Sequence, residues 1–512
     1  MISRIHSMVL QGIDATACEV EVDVARGQSG EFHLVGLPDA AVKESISRVQ
    51  SAMRNCGYRW PGPKVTISLA PADVKKEGPA FDLPIALGVM LAGGELVSEG
   101  ENKHARYLIL GELALDGRLR HVKGALAAAM LARALEMTGI VLPRANAAEA
   151  AVVDGIEVIG CDNLTQAVGF LSGELPIEPT QVDLDSVVAA ASHYEIDFGD
   201  VRGQAAAKRA ITVAAAGHHN LLMIGPPGSG KTMLAKRLPT ILPGLSTEES
   251  LETTRIYSSR GLLGEGQSLL ATRPVRTPHH SASPASLVGG GTVPQAGEIS
   301  LAHHGVLFLD ELPEFPRATL EMIRQPLEDG CVTIPRVHST VRFPARIMLV
   351  AAMNPCPCGY ATDPKRKCNC HPSAVERYMG RISGPLIDRI DIHIEVPAVS
   401  FRELRAETGD GLTSVQMREQ VVAARAVQRR RFGDGTTCNA TMTSRQLRTH
   451  CKLDAAGETL LKQALNEMGL SARAHDKVLR VSRTIADMEG AADIAAHHLA
   501  EAVQYRRLDR KM

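Results

Sequence analysis

The run Gly225-Pro226-Pro227-Gly228-Ser229-Gly230-Lys231-Thr232 sets glycines around a short loop and closes it with a Lys-Thr pair. The apolar stretch Leu221 to Ile224 precedes it and MLAKRL follows, so a strand, a glycine-rich loop and a helix N-terminus are expected in that order. Such a loop turns backbone N–H groups toward phosphate oxygens, and the helix end adds partial positive charge. Lys231 suits the β- and γ-phosphates of ATP, and the Thr232 hydroxyl suits Mg²⁺. Further on, Gly305-Val-Leu-Phe-Leu-Asp310-Glu311 reads as an apolar strand ending in two carboxylates. Asp310 is expected in the Mg²⁺ shell, and Glu311 is expected to polarise the attacking water. The next apolar run, Arg346 to Met353, ends in the amide of Asn354. That amide either orients water at the γ-phosphate or simply opens the turn with Pro355. Arg389, before the strand DIHIEV, and Arg473, opening the helical stretch ARAHDKVLR, are guanidiniums that could meet developing γ-phosphoryl charge.

These groups need a scaffold. From 198 to 398 the strands LLMI, GVLFLDEL, RIMLVAAMN and DIHIEVP are almost continuously apolar, which predicts a parallel sheet covered on both faces. Residues 1–175 alternate strand-like and helix-like stretches. EVEVDVARG, KVTISLAPA and GIVLP read as strands, while DLPIALGVMLAGG and ALAAAMLARALEM read as helices. The proline-bearing stretch 176–197 reads as a linker. Residues 399–512 read as helical, with candidates at Ser414–Phe432, Asp454–Met468, Ala472–Met488 and Ala492–Tyr505. The fold class expected is therefore multidomain α/β with a helical C-terminal domain.

Composition narrows the partners. The 512 residues carry a formal net charge of −1 and only 3% aromatics, so any nucleic-acid contact must be a local patch without a dense stacking platform. From Gly411 onward 17 Lys+Arg face 11 Asp+Glu, a surplus of +6. The start MISRIHSMVLQG has no apolar core of a signal peptide, and the longest apolar run, Leu83 to Ala92, is too short to span a bilayer. A cytoplasmic location and reduced cysteines are expected.

Four cysteines cluster as Cys356-Pro-Cys358 and Cys368-Asn-Cys370. Two thiolate pairs across a short loop can close a tetrahedral Zn²⁺ site. Free buried thiols and an iron–sulfur cluster are the alternatives. The loop between them carries the basic run Lys365-Arg366-Lys367. Gln428-Arg-Arg-Arg431 reads either as a DNA contact or as a solvated helix end.

The blocks GEISLAHHGVLFLDELPEF, VAAMNPCPCGY, ISGPLIDRIDIHIEVP, PHHSASPASLVGGG and LSARAHDKVLRVSRTIADMEG resemble the magnesium-chelatase-like AAA+ ATPases of the YifB/ComM family, over the whole chain. The resemblance implies a hexameric ring. It also implies a DNA helicase that drives branch migration as incoming single strands are integrated in natural transformation. Under it, Arg389 matches an arginine finger acting on the neighbouring subunit. Arg473 matches the sensor-2 arginine, expected to cover the nucleotide of its own subunit. Val201-Arg-Gly-Gln204 resembles the turn at the adenine. Ser286 to Ser300 matches a hairpin insert, and Cys331 to Pro344 a second hairpin with Arg336, Val337 and His338 at its tip. A basic tip in a ring channel can grip phosphates without reading sequence; the alternative is a plain surface hairpin. KKEGPAFDLPIALG and GELALDGRLRHVKGALAAA resemble the peptidase domain of Lon. The nucleophile position falls on Ala80 and the base position on Leu126, so no peptidase chemistry is expected. The nearby Lys75, Lys76 and Lys123 read either as DNA contacts or as a solvated face.

Two functions follow. One is a DNA translocase using ATP and Mg²⁺, with single-stranded, double-stranded or branched DNA as partner. The other is a chelatase-like motor remodelling a protein partner. An ATP-dependent protease is disfavoured by Ala80 and Leu126.

Overall fold

The computed structural model describes residues 2–506 except 26–30, 62–63, 98–101, 185, 188–193, 265, 292, 336–339, 364, 400–411 and 469–470. The hairpin tip with Arg336 and His338 lies outside the described residues. Two compact units emerge, Met1–Ala191 with Thr247–Ala271, and Ser192–Ser246 with Thr272–Met512.

In the first unit, β1 (Ile2–Gln11), β2 (Asp14–Ala25), β3 (Glu31–Val35) and β4 (Lys64–Ala70) form a sheet in the order β1-β2-β4-β3. Only β3 and β4 run parallel. Alternate residues Ile5, Val20, Val22, Val65, Ile67 and Leu69 point to the core, as the period of two demands. The helix Asp82–Gly93 lies against this face, buried almost throughout. Gly94, left-handed at φ 79°, closes it as the Gly-Gly signal suggested. A second, parallel sheet joins β5 (Tyr107–Ile109), β8 (Gly139–Pro143) and β9 (Glu157–Cys161), and β6 (Glu112–Leu113) pairs with β7 (Leu119–Arg120). Leu126 is fully buried, and Ala80 packs at the same apolar cluster.

The helix Thr247–Arg260 belongs to this unit although it interrupts the nucleotide module in sequence. Leu251 and Leu269 pack with Leu126 and Ala128, and Ser258 reaches the buried Glu149 carboxylate, which also accepts from the Leu126 N–H at 3.0 Å. A buried carboxylate without such donors is costly, so these bonds hold the helix to the unit. Lys76 departs from both sequence readings. It is fully buried, with Nζ on the Pro71 carbonyl, and burial lowers its pKa. Lys75 is exposed and pairs with Glu77 at 2.8 Å.

In the second unit, β10 (Leu221–Ile224), β11 (Val275–Arg276), β14 (Val306–Leu309), β17 (Met348–Met353) and β18 (Ile392–Glu395) form one parallel sheet in the order β11-β14-β17-β10-β18. The four longer strands are those the apolar runs predict; the two-residue β11 has no such signal. Two antiparallel hairpins branch off, β12 (Gly289–Gly290) with β13 (Gln295–Ala296) and β15 (Cys331–Pro335) with β16 (Thr340–Pro344), within the segments expected for them. The helices Ser414–Phe432, Ala455–Met468, Ala472–Met488 and Ala496–Gln504 match the C-terminal pattern, with a short helix Ser444–His450 added. Among the described residues no helix is long and apolar enough to cross a membrane.

Candidate nucleotide site

Parallel register brings the chemistry to one edge. Ile224 pairs with Met353 and Glu395, and Leu309 with Ala351. Gly225, Asp310, Glu311 and Asn354 therefore leave the C-terminal ends of adjacent strands together. This is where open α/β sheets bind ligands.

The loop Gly225–Gly230 is shaped by two left-handed glycines, Gly228 at φ 76° and Gly230 at φ 91°. The helix Lys231–Arg237 starts directly after it. Lys231 is 9% exposed. Its ammonium donates to the Gly225 carbonyl at 2.7 Å, the Pro226 carbonyl at 3.0 Å and the Asn354 amide oxygen at 3.3 Å. Burial lowers its pKa, against the pull of Asp310 and Glu311. Thr232 Oγ1 donates to Asp310 Oδ2 at 2.7 Å. A hydroxyl and a carboxylate at that spacing are hard oxygen donors of the kind Mg²⁺ takes, alongside phosphate and water, so these residues fit the ion.

Glu311 holds a left-handed backbone, φ 52°, a costly conformation for a non-glycine residue that is often kept at functional sites. Its side chain is 56% exposed and lies 3.3 Å from Nδ1 of His280. The sequence reading missed His280. Arg276 pairs with Leu307 across β11 and β14, so four residues on, the chain from Arg276 arrives opposite Glu311. The ring of His280 stacks on His279 at 4.0 Å and meets Phe315 edge-on. Glu298, just beyond the hairpin strand β13, grips Arg276 through two bonds of 2.6 and 2.9 Å. The pair His279-His280 in the sequence was the available signal, but only the register assigns it.

Gln204, also left-handed, donates to Ser229 O at 3.3 Å and Pro397 O at 2.6 Å. It thus ties the phosphate loop to the segment after β18.

The four cysteine sulfurs lie within 4.8 Å of one another. Cys356–Cys358 is 3.3 Å, and Cys368 is 3.6 Å from each. A tetrahedral zinc with Zn–S of about 2.3 Å needs sulfurs about 3.8 Å apart, so the set fits the ion. Backbone N–H groups point at the sulfurs, Cys358 N to Cys370 and Cys370 N to Cys368, both 3.4 Å. The Tyr360 N–H pulls the Cys358 thiol down to about 6. Gly359, at φ 87°, presses on the phosphate loop, since a Cβ there would come within 2.6 Å of Pro227. The cysteine loop is therefore a wall of the nucleotide site. Arg366 in the basic run stacks on Tyr360 and donates to its hydroxyl at 2.8 Å.

Arg389 lies away from this edge. It precedes β18, at the N-terminal end of the sheet, about 16 Å below the phosphate loop at ~3.3 Å per strand residue. Its side chain is 11% exposed, paired with Glu328 and donating to Pro385 O at 2.6 Å. The expectation that Arg473 covers its own subunit's nucleotide is corrected by the direction of the helix Ala472–Met488. Thr484 meets His219 at the foot of β10 at 2.8 Å, and Glu489, past the helix end, reaches up to Arg209 at 3.9 Å. Arg209 lies near the start of the helix Ala205–Gly217, whose last residue precedes His219 by two. The helix Ala472–Met488 thus climbs toward its C-terminus, and its first turn, with the exposed Arg473, points below the sheet. Both arginines occupy the end opposite their own phosphate loop. In the Gln428–Arg431 stretch, the partly buried Arg431 pairs with the buried Asp487.

Known families match in three blocks. Residues 197–404 match "Magnesium chelatase, subunit ChlI", 20–146 "Subunit ChlI of Mg-chelatase" and 411–506 "Magnesium chelatase, subunit ChlI C-terminal". The chain is 44% identical to competence protein ComM of Haemophilus influenzae, covering 99% of this chain and 97% of that protein. It is 42% identical to protein YifB of Escherichia coli K12, covering 99% and 98%. An archaeal Lon protease of Halobacterium salinarum is 32% identical over 113 residues, 21% of this chain and 15% of that protein.

Proposed function

The chain belongs to the ComM/YifB family of magnesium-chelatase-like AAA+ proteins, and from that premise we propose that it is a ring-forming ATPase that moves DNA. In this reading it works in the cytoplasm as a homo-hexamer and promotes branch migration while an incoming strand is integrated during natural transformation. The observation that carries the ATPase is the joint arrival of Lys231, the Thr232–Asp310 pair, Glu311 and Asn354 at one sheet edge. The competence role rests on the name of the Haemophilus relative.

Lys231 and the loop N–H groups bind the β- and γ-phosphates, and Gln204 lies toward the base. Thr232 and Asp310 hold Mg²⁺, which when bound neutralises phosphate charge. Glu311 takes the proton of the attacking water, with His280 fixing the carboxylate and Asn354 orienting the water. Arg389 and Arg473 serve the nucleotide of the adjacent subunit. The hairpins β12/β13 and β15/β16, with Arg336 and His338 at the second tip, contact the DNA backbone in the channel. The N-terminal unit is a Lon-like scaffold without peptidase chemistry. A chelatase-like motor acting on a protein partner is the second reading, favoured by the matched family descriptions. The test is a three-stranded junction with one labelled strand. ATP-dependent displacement supports the DNA reading, and an inert junction beside robust ATP turnover supports the protein partner.

Cys356, Cys358, Cys368 and Cys370 would hold a zinc ion that braces the loop following Asn354 against Pro227. Elemental analysis of the purified protein is expected to find stoichiometric zinc, lost in Cys358→Ser together with part of the nucleotide affinity. Metal-free protein with full ATP binding would remove this role.

A further inference from the structure

Arg389 and Arg473 lie on different elements, yet buried contacts tie them together. Asp391 follows Arg389 by two residues and is 7% exposed. Its carboxylate accepts the Asn220 N–H at 2.9 Å and Lys477 Nζ at 2.9 Å, with His219 Nδ1 at 3.7 Å. Lys477 is likewise buried and stands one turn after Arg473 on the same helix face. Burial pushes the Asp391 carboxyl up, but Lys477 and His219 outweigh it and hold the group well below the usual carboxylate range. An ionised pair this buried is costly to break from one side.

Asn220 completes the linkage. Its Nδ2 donates to the Arg389 carbonyl at 3.0 Å, and its Oδ1 accepts the Leu349 N–H at 2.9 Å. Leu349 belongs to β17, whose far end leads into Asn354 on Lys231. One strand therefore has the phosphate site at its C-terminal end and the base of the arginine arm at its N-terminal end. Side chains packed this tightly shift as units between discrete arrangements.

We propose that Asn220, Asp391 and Lys477 are positioning residues that hold Arg389 and Arg473 as one rigid arm, and that β17 makes the arm's presentation to the next subunit depend on the nucleotide bound in its own. This rests on the reading above that both arginines act on the adjacent subunit. A displacement of about 1 Å in such a group costs on the order of 100-fold in rate.

The test uses full-length protein in mixed rings. Wild-type subunits are doped with Glu311→Gln subunits, which contribute an arm but no hydrolysis of their own, so the measured turnover belongs to the wild-type sites. Three dopants are compared: Glu311→Gln alone, with Lys477→Met added, and with Arg389→Ala added. Light scattering verifies ring assembly, and thermal melting verifies folding. The expected result is that Lys477→Met depresses kcat of the wild-type sites by about 10-fold or more beyond Glu311→Gln alone, approaching the Arg389→Ala dopant, with KM unchanged. Lys477→Arg, which keeps the charge, is expected to restore most of it. Should Lys477→Met fail to fold, Asn220→Ala removes the bridge to β17 without stranding a buried charge, and the same depression is expected. A Lys477→Met or Asn220→Ala dopant indistinguishable from Glu311→Gln alone, while Arg389→Ala depresses turnover, overturns the arm and leaves the trans arginine standing. An Arg389→Ala dopant without added effect overturns both.

Discussion

Glu311→Gln is expected to bind ATP as the wild type does and to hydrolyse it about 10²- to 10⁴-fold more slowly, the range a positioned general base contributes. The amide keeps the shape of the side chain but cannot take the proton of water. Nothing that binds phosphate is altered, because Lys231, the loop N–H groups and the Thr232–Asp310 pair are separate side chains. Lys231→Ala should show the opposite pattern, with nucleotide affinity lost and no trapped complex. Fluorescent-nucleotide binding beside steady-state phosphate release separates the two. Normal turnover by Glu311→Gln would move the base to another residue, with His280 the nearest candidate at 3.3 Å.

Arg389→Ala is expected to lower kcat about 10³-fold, the lower end of what an arginine supplied in trans contributes to phosphoryl transfer, while ATP affinity of the isolated subunit stays unchanged. The reason is positional. Arg389 sits at the foot of β18, and the phosphate loop leaves the head of β10, its direct neighbour in the sheet. Mixing makes the result specific. Arg389→Ala subunits keep an intact phosphate site, and Lys231→Ala subunits keep an intact arginine. Rings containing both should recover turnover that neither variant has alone. If mixing restores nothing, and Arg389→Ala instead weakens ATP binding in the monomer, the arginine serves its own subunit or only the local fold. The Glu328 pair bears on this experiment, because the guanidinium must leave Glu328 before it can meet a phosphate.

The nucleotide edge was legible in sequence because each part is local. An apolar run followed by Gly225–Thr232, or by Asp310-Glu311, states both the strand and the group at its end, and β10, β14, β17 and β18 appear where those runs stand. The C-terminal helices were legible for a similar reason. Thr413 and Gln416 form a reciprocal cap on Ser414–Phe432, and Gly433 at φ 74° ends it.

What the sequence hides is set by pairing at a distance. His280 depends on the register of the two-residue β11, too short to leave a periodic signal. The helix Thr247–Arg260 packs with the N-terminal unit because Glu149, about a hundred residues earlier, accepts its Ser258 hydroxyl. Arg473 could be assigned to a helix start, but periodicity says nothing of whether that helix climbs or descends past the sheet. The contacts of Thr484 and Glu489 decide it. Lys76 looked like one of several surface lysines, and its burial beside the Pro71 carbonyl is a tertiary fact. The cysteine spacing predicted a cluster, but only the fold puts Gly359 against Pro227 and so joins that cluster to the glycine-rich loop.

The central claim is that ATP turnover here is coupled to DNA, and steady-state ATPase with and without single-stranded and branched DNA tests it most directly, with the Glu311→Gln protein as the blank. The account predicts strong stimulation by DNA that vanishes in the blank. Robust basal turnover that no DNA changes would contradict it and leave the motor acting on a protein partner.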